Sequence, residues 1–179
     1  TQFREDSGPT SHPVKPEKYL EIDNFYTTTI YEKGSEIIRM VQTIINEQKF
    51  KKGFSSFISK YDGKAATIDD FIETIFEKDK YIKTEKFKIW YKQNGTPSLT
   101  FKRDWDKDRK LLKINISQNN DKNNPINKLP LIIPINLAVF TEPNNIKEIK
   151  FILNKKHDQI TVNDINTNLE KPILSYMRG

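Results

Sequence analysis

Trp90–Phe101 reads WYKQNGTPSLTF, and the hydrophobic period changes inside it. Ahead of the break, Phe87, Trp90 and Tyr91 recur at the three-and-four spacing of a helix face. Gly95 suits the left-handed residue that closes a helix, and Pro97 cannot continue one. From Ser98 onward the apolar residues come in short β-branched runs. Helices followed by strands give an α+β chain, divided near Gly95 into a helical part, 1–95, and a β part, 96–179.

Upstream of the break, residues 1–24 are rich in Pro, Ser, Gly and Asp, as in DSGPTSHPVKP (6–16), and are expected to be an extended lead-in. Ile30, Ile37, Val41 and Ile44, widened by Ile38 and Ile45, then form a helical stripe. Thr29 and Glu32 have the spacing of a capping box, which places Tyr31 in the first turn. A second helix carries Phe50, Phe54, Phe57, Ile58 and Tyr61 and ends at the turn YDGKAAT (61–67). Thr67 caps a third helix, whose Asp69 and Asp70 suit its positive end and whose Phe71, Ile72, Ile75 and Phe76 form a buried face. A short fourth helix follows Thr84.

Downstream, SLTF, KLLKINIS, PLIIPINLAVF, IKEIKFILN, QITVND and PILSYM read as strands separated by Asp- and Asn-rich loops such as QNNDKNNPIN (118–127). Ile114 and Ile116 alternate with Lys113 and Asn115, so one face is apolar. A small antiparallel β-sandwich is expected.

Composition bounds the function. There is no cysteine, which removes disulfides and thiolate metal sites and fits a reducing compartment, the cytoplasm. The apolar runs are broken by proline and fall short of the roughly 20 residues a spanning helix needs. A soluble protein without a membrane partner is expected. The net charge of +6 comes from lysines interleaved with Asp and Glu through the whole chain. With no basic stripe bearing stacked aromatics, nucleic acid is not an expected partner.

The chemistry-bearing residues are sparse. His12 and His157 are the two histidines, far apart in sequence and on different expected loops, so no metal site is assigned to this chain. The serines near His12 lack the G-x-S-x-G turn, and DGKAAT lacks the spacing of a phosphate-binding loop. Tyr31 has two readings: a packed structural ring, or a phenol held to donate a hydrogen bond to developing negative charge. The residues alone leave both open.

The segment DNFYTTTIYEKGSEIIRM (23–40), with HPVKP upstream and YDGKAATIDDF and WYKQNGTP downstream, resembles the aminopeptidase N family of zinc metallopeptidases in its bacterial alanyl-aminopeptidase branch. The resemblance runs from Thr1 to about Pro97 and continues more loosely to Gly179. It implies the helical end of a thermolysin-like catalytic domain followed by a small β-sandwich. In that family zinc is held by an H-E-x-x-H helix and a later glutamate, elements that would precede this segment. The chain therefore reads as a fragment of a zinc-dependent aminopeptidase, acting on peptides in the full-length parent, with no zinc bound by the fragment and no activity alone. Tyr31 matches the tyrosine of the family's Y-E-K-G, whose hydroxyl meets the oxyanion opposite the metal. Tyr26 matches a second tyrosine near the substrate, Asp23 occupies a substrate-contacting position where relatives carry asparagine, and His12 matches a scaffold residue. Self-association of the fragment through uncovered apolar faces is a further expectation. The alternative is a stand-alone β-sandwich interaction module without catalysis.

Overall fold

Ile37, Val41 and Ile45 are buried along one face of helix α2 (Gly34–Ile45), as their spacing of four residues dictates. The computed structural model describes residues 2–18, 21–77, 82–119, 128–142 and 145–176. They fall into two compact units, Thr1–Thr96 and Pro97–Gly179.

In the first unit, the lead-in expected to be extended begins with a short helix, α1 (Gln2–Asp6), and includes a 3-10 turn at Ile22–Phe25. A π-helical turn, Thr29–Lys33, runs directly into α2. Helix α3 (Glu47–Tyr61) starts at Asn46, whose side chain accepts the Lys49 N–H. Its stripe is narrower than its sequence suggests: Phe57 meets the edge of Phe71 at 5.2 Å between ring centroids, while Phe54 and Ile58 stay exposed. Ile38 of α2 is exposed as well. Helix α4 (Ile68–Phe76) carries a complete capping box, Thr67 accepting the Asp70 N–H and the Asp70 carboxylate accepting the Thr67 N–H. The expected fourth helix is two short ones, α5 (Thr84–Phe87) and α6 (Ile89–Lys92). Phe87 closes the core against Phe76 at 5.1 Å. The lead-in is tied down where the Lys15 N–H donates to the Tyr91 carbonyl at 2.8 Å.

The second unit contains two three-stranded antiparallel sheets. One has the order β1 (Ser98–Asp106), β2 (Leu111–Asn119), β5 (His157–Val162); the other β4 (Asn145–Leu153), β3 (Ile133–Glu142), β6 (Ile173–Ser175). Strand alternation puts Leu112, Ile114 and Ile116 inside with Ile135, Leu137 and Val139. Buried Gln118 extends the β2 inner face and is fully satisfied: its Nε2 donates to the Leu131 and Lys155 carbonyls and its Oε1 accepts the Leu131 N–H, each at 2.9 Å. Strand β1 runs five residues past SLTF through a charged stretch, an edge strand whose Arg103 donates to the Pro172 carbonyl at 2.8 Å. Of the expected loop 118–127, residues 120–127 lie outside the described residues, as does Met177 of PILSYM.

Candidate functional site

Three successive threonines, 27 to 29, precede Tyr31, and the chain turns at the first of them. The Thr27 hydroxyl accepts the Ile30 N–H at 3.2 Å, the reach of a cap. The Thr29 N–H donates to Oε1 of Glu5, 24 residues upstream, at 3.2 Å. The expected Thr29–Glu32 box is therefore not formed, and Glu32 is exposed. The Thr29 N–H it was to serve is already taken by Glu5, and its carboxylate stays in water.

The turn itself is a π-turn, which inserts a residue into the helical ladder and is common at functional sites. It sorts its side chains sharply. Thr29 and Lys33 point inward, at 0% and 7% exposure, whereas Tyr31 between them is 60% exposed. The Tyr31 ring stacks on that of Tyr26, itself 68% exposed, with centroids 6.3 Å apart and 24° between planes. Tyr26 is set by the 3-10 turn, its N–H donating to the Asp23 carbonyl at 3.0 Å. The structure thus brings Tyr26 and Tyr31 together, and the Asp23 side chain lies exposed on the adjoining turn.

Beneath this surface lies an ionic network. Lys33 Nζ is 2.8 Å from Oδ2 of Asp6 and donates to the Gly95 carbonyl at 3.1 Å. Asp6 also accepts the Gly95 N–H at 2.6 Å, the Ser11 hydroxyl at 3.2 Å and the Gln2 amide at 3.3 Å. Burial alone would raise the Asp6 pKa, but the Lys33 hydrogen bond, the Gly95 N–H and the Lys33 charge hold it below the ordinary carboxyl range. Glu5 behaves alike: burial opposes its ionisation, and the hydrogen bond from Thr29 with the neighbouring His12 lowers its pKa. His12 places Nε2 3.4 Å from Glu5 and Nδ1 2.9 Å from the Pro13 carbonyl, so it serves the lead-in. His157 is exposed as the first residue of β5, opposite Ser117. Sequence reasoning did not single out Glu5 or Asp6, because both act across long separations and neither carries a local pattern.

Among the described residues no group of three or more His, Cys, Asp or Glu could hold a metal ion. The described residues do not build a zinc site. A cleft of about 510 Å³ is lined by Glu73, Phe76, Glu77 and residues 82–85 and shares no residue with the Tyr26–Tyr31 surface. Its walls carry three glutamates together with Lys83 and Thr84.

Residues 1–91 match the family model described as "Peptidase family M1 domain", and residues 95–179 match "Domain of unknown function (DUF3458) Ig-like fold". The chain is 41% identical to the aminopeptidase N of Haemophilus influenzae over 140 residues, covering 78% of this chain and 16% of that protein. It is 48% identical to the aminopeptidase N of Caulobacter vibrioides over 105 residues, 59% of this chain and 12% of that one. The crystal structure of Legionella pneumophila aminopeptidase A in complex with aspartic acid superposes with a TM-score of 0.78 at 25% identity, covering 93% of this chain and 19% of that chain. The chain thus spans less than a fifth of the length of these relatives.

Proposed function

Because the chain belongs to peptidase family M1, we propose that it supplies the oxyanion donor of an aminopeptidase that removes N-terminal residues from peptides. In this reading the first unit is the end of the thermolysin-like catalytic domain and the second a structural β-sandwich. One observation carries the assignment: Tyr31 is held out at 60% exposure on a turn whose flanking residues, Thr29 and Lys33, are buried. A tyrosine serving only the core would be turned the other way.

When water adds to the scissile carbonyl carbon, the carbonyl π electrons move to oxygen and an oxyanion forms. A phenol keeps its proton at neutral pH and so can donate to that oxygen. Held rigidly in place, it stabilises charge that exists in the transition state and is absent from the substrate. Tyr26, stacked on Tyr31, presents a second aromatic surface for the substrate, and Asp23 offers a carboxylate on the adjoining turn. Zinc belongs to this reading through the full-length protein; no ligand set for it exists among the described residues.

The test is Tyr31→Phe in the full-length protein. Loss of one oxyanion donor lowers kcat by about 10² to 10³-fold. KM should hold nearly constant, because the interaction is made in the transition state. Near-normal turnover by the variant would end the assignment.

A further inference from the structure

An exposed tyrosine has little burial of its own to hold it, so the position of the Tyr31 hydroxyl depends on the backbone beneath it. That backbone is a π-turn, a rare departure from the α-helical ladder, and its setting depends on the contacts that anchor it. It has them on both sides of Tyr31. Two residues before, the Thr29 N–H is fixed by Glu5; two residues after, Lys33 is fixed by Asp6.

The second anchor is the unusual one. The Lys33 and Asp6 side chains are 8% and 0% exposed. Together they clasp a single residue, Gly95, the ammonium taking its carbonyl and the carboxylate its N–H. Burying two charges is costly, and apolar residues of equal volume commonly serve stability as well or better. What a buried ion pair adds is direction: it is satisfied in one geometry and strongly penalised in others. Here that geometry joins α1, the π-turn and the loop at Gly95, and it fixes the residue two positions from the phenol.

We infer that Asp6 and Lys33 are positioning residues for Tyr31, an ion pair that sets the π-turn so that the phenol hydroxyl meets the oxyanion. The inference rests on the reading of Tyr31 as the donor. Displacement of a reacting group by about 1 Å can cost 10²-fold in rate, so loosening the pair should slow chemistry without altering how substrate is held.

The experiment uses the full-length protein and compares Lys33→Met, Asp6→Asn and Tyr31→Phe, singly and combined. Lys33→Met is expected to lower kcat by roughly 10- to 100-fold with KM nearly constant. In the Tyr31→Phe background the same substitution should change kcat by less than about threefold, because residues acting as one unit are not additive. With 3-fluorotyrosine at position 31, the ¹⁹F resonance should be single and narrow in the parent and broadened or split in Lys33→Met. Should Lys33→Met fail to fold, Asp6→Asn keeps the shape of the site and an acceptor for the Gly95 N–H, and should show the same pattern more mildly. Unchanged kcat, or a loss that multiplies fully with that of Tyr31→Phe, overturns the positioning role while leaving Tyr31 as donor. Unfolding of both variants overturns it too, since the pair would then serve the whole fold. Near-normal turnover of Tyr31→Phe removes the donor reading and this inference with it.

Discussion

At the scale of the residue, the two glutamates nearest the π-turn exchange the roles that spacing suggests. Glu32 sits three residues from Thr29 yet is exposed, whereas Glu5, distant in sequence, accepts the Thr29 N–H. Satisfying a free N–H at a helix start is worth about 1 kcal/mol whichever part of the chain provides the oxygen. Glu5→Ala should therefore lower stability by about 1 kcal/mol or somewhat more, and Glu32→Ala should stay within about 0.5 kcal/mol of the parent. Urea denaturation of the two variants separates these values, and equal losses would show that Glu32 caps after all. The same contrast explains what was readable here. Tyr31, Tyr26 and Asp23 could be singled out as candidates because one contiguous motif carries them. Asp6 and Lys33 were not legible as a pair, since their partnership spans 27 residues and that of Asp6 with Gly95 spans 89.

At the scale of the element, period and breakers located most of the fold. Each of the six strand segments read from the sequence overlaps an observed strand, because alternation and β-branching are local properties. The misses have tertiary causes. Helix α1 lacks an apolar period and is held through its own buried Asp6, which pairs with Lys33 and Gly95, and α3 buries a narrower face than its five aromatic and aliphatic residues suggest. Close packing also decides what its glycine does. A Cβ on Gly53 would lie 3.2 Å from the Ile75 Cα, a backbone atom of α4 that cannot easily give way. A Cβ on Gly34 would meet Val14 Cγ1 at 3.6 Å, an ordinary contact, in backbone that is already helical. Gly34→Ala should stabilise by about 0.5–1 kcal/mol through backbone entropy. Gly53→Ala should gain the same propensity yet lose about 1–3 kcal/mol to overpacking, for a net destabilisation. Opposite shifts in Tm are expected, and a rise in both would mean that α3 can move away from α4.

At the scale of the whole molecule, long-range ionic ties concentrate in the first unit and give it a particular response to acid. Asp69 of α4 is held at a pKa of about 2, chiefly by hydrogen bonds from Lys15 of the lead-in and Lys88 between α5 and α6. Lys88 is itself buried against Glu73 and Glu85; burial alone would lower its pKa, and these carboxylates raise it above the ordinary value. Asp6 and Glu5, also depressed, tie the lead-in to the π-turn. In the unfolded chain each of these carboxyls takes up its proton near the ordinary value of about 4. Below that pH the unfolded state binds protons that the folded state still refuses, so stability falls as pH falls. The full contribution is present above about pH 5 and disappears as pH drops through the folded values, down to about 2 for Asp69. Asp69 is 37% exposed, so water screens part of its share and the buried Asp6 pair carries more. The chain's two tryptophans allow a direct measurement, since Trp90 lies in the first unit and Trp105 in the second. In Trp105→Phe, the urea midpoint followed by Trp90 fluorescence should be level between pH 7 and 5 and decline steadily from 5 to 2. Asp6→Asn should make that decline shallower, having lost the buried carboxylate that contributes most to it; a midpoint independent of pH in the parent would mean that these carboxylates are no better placed in the fold than in the open chain.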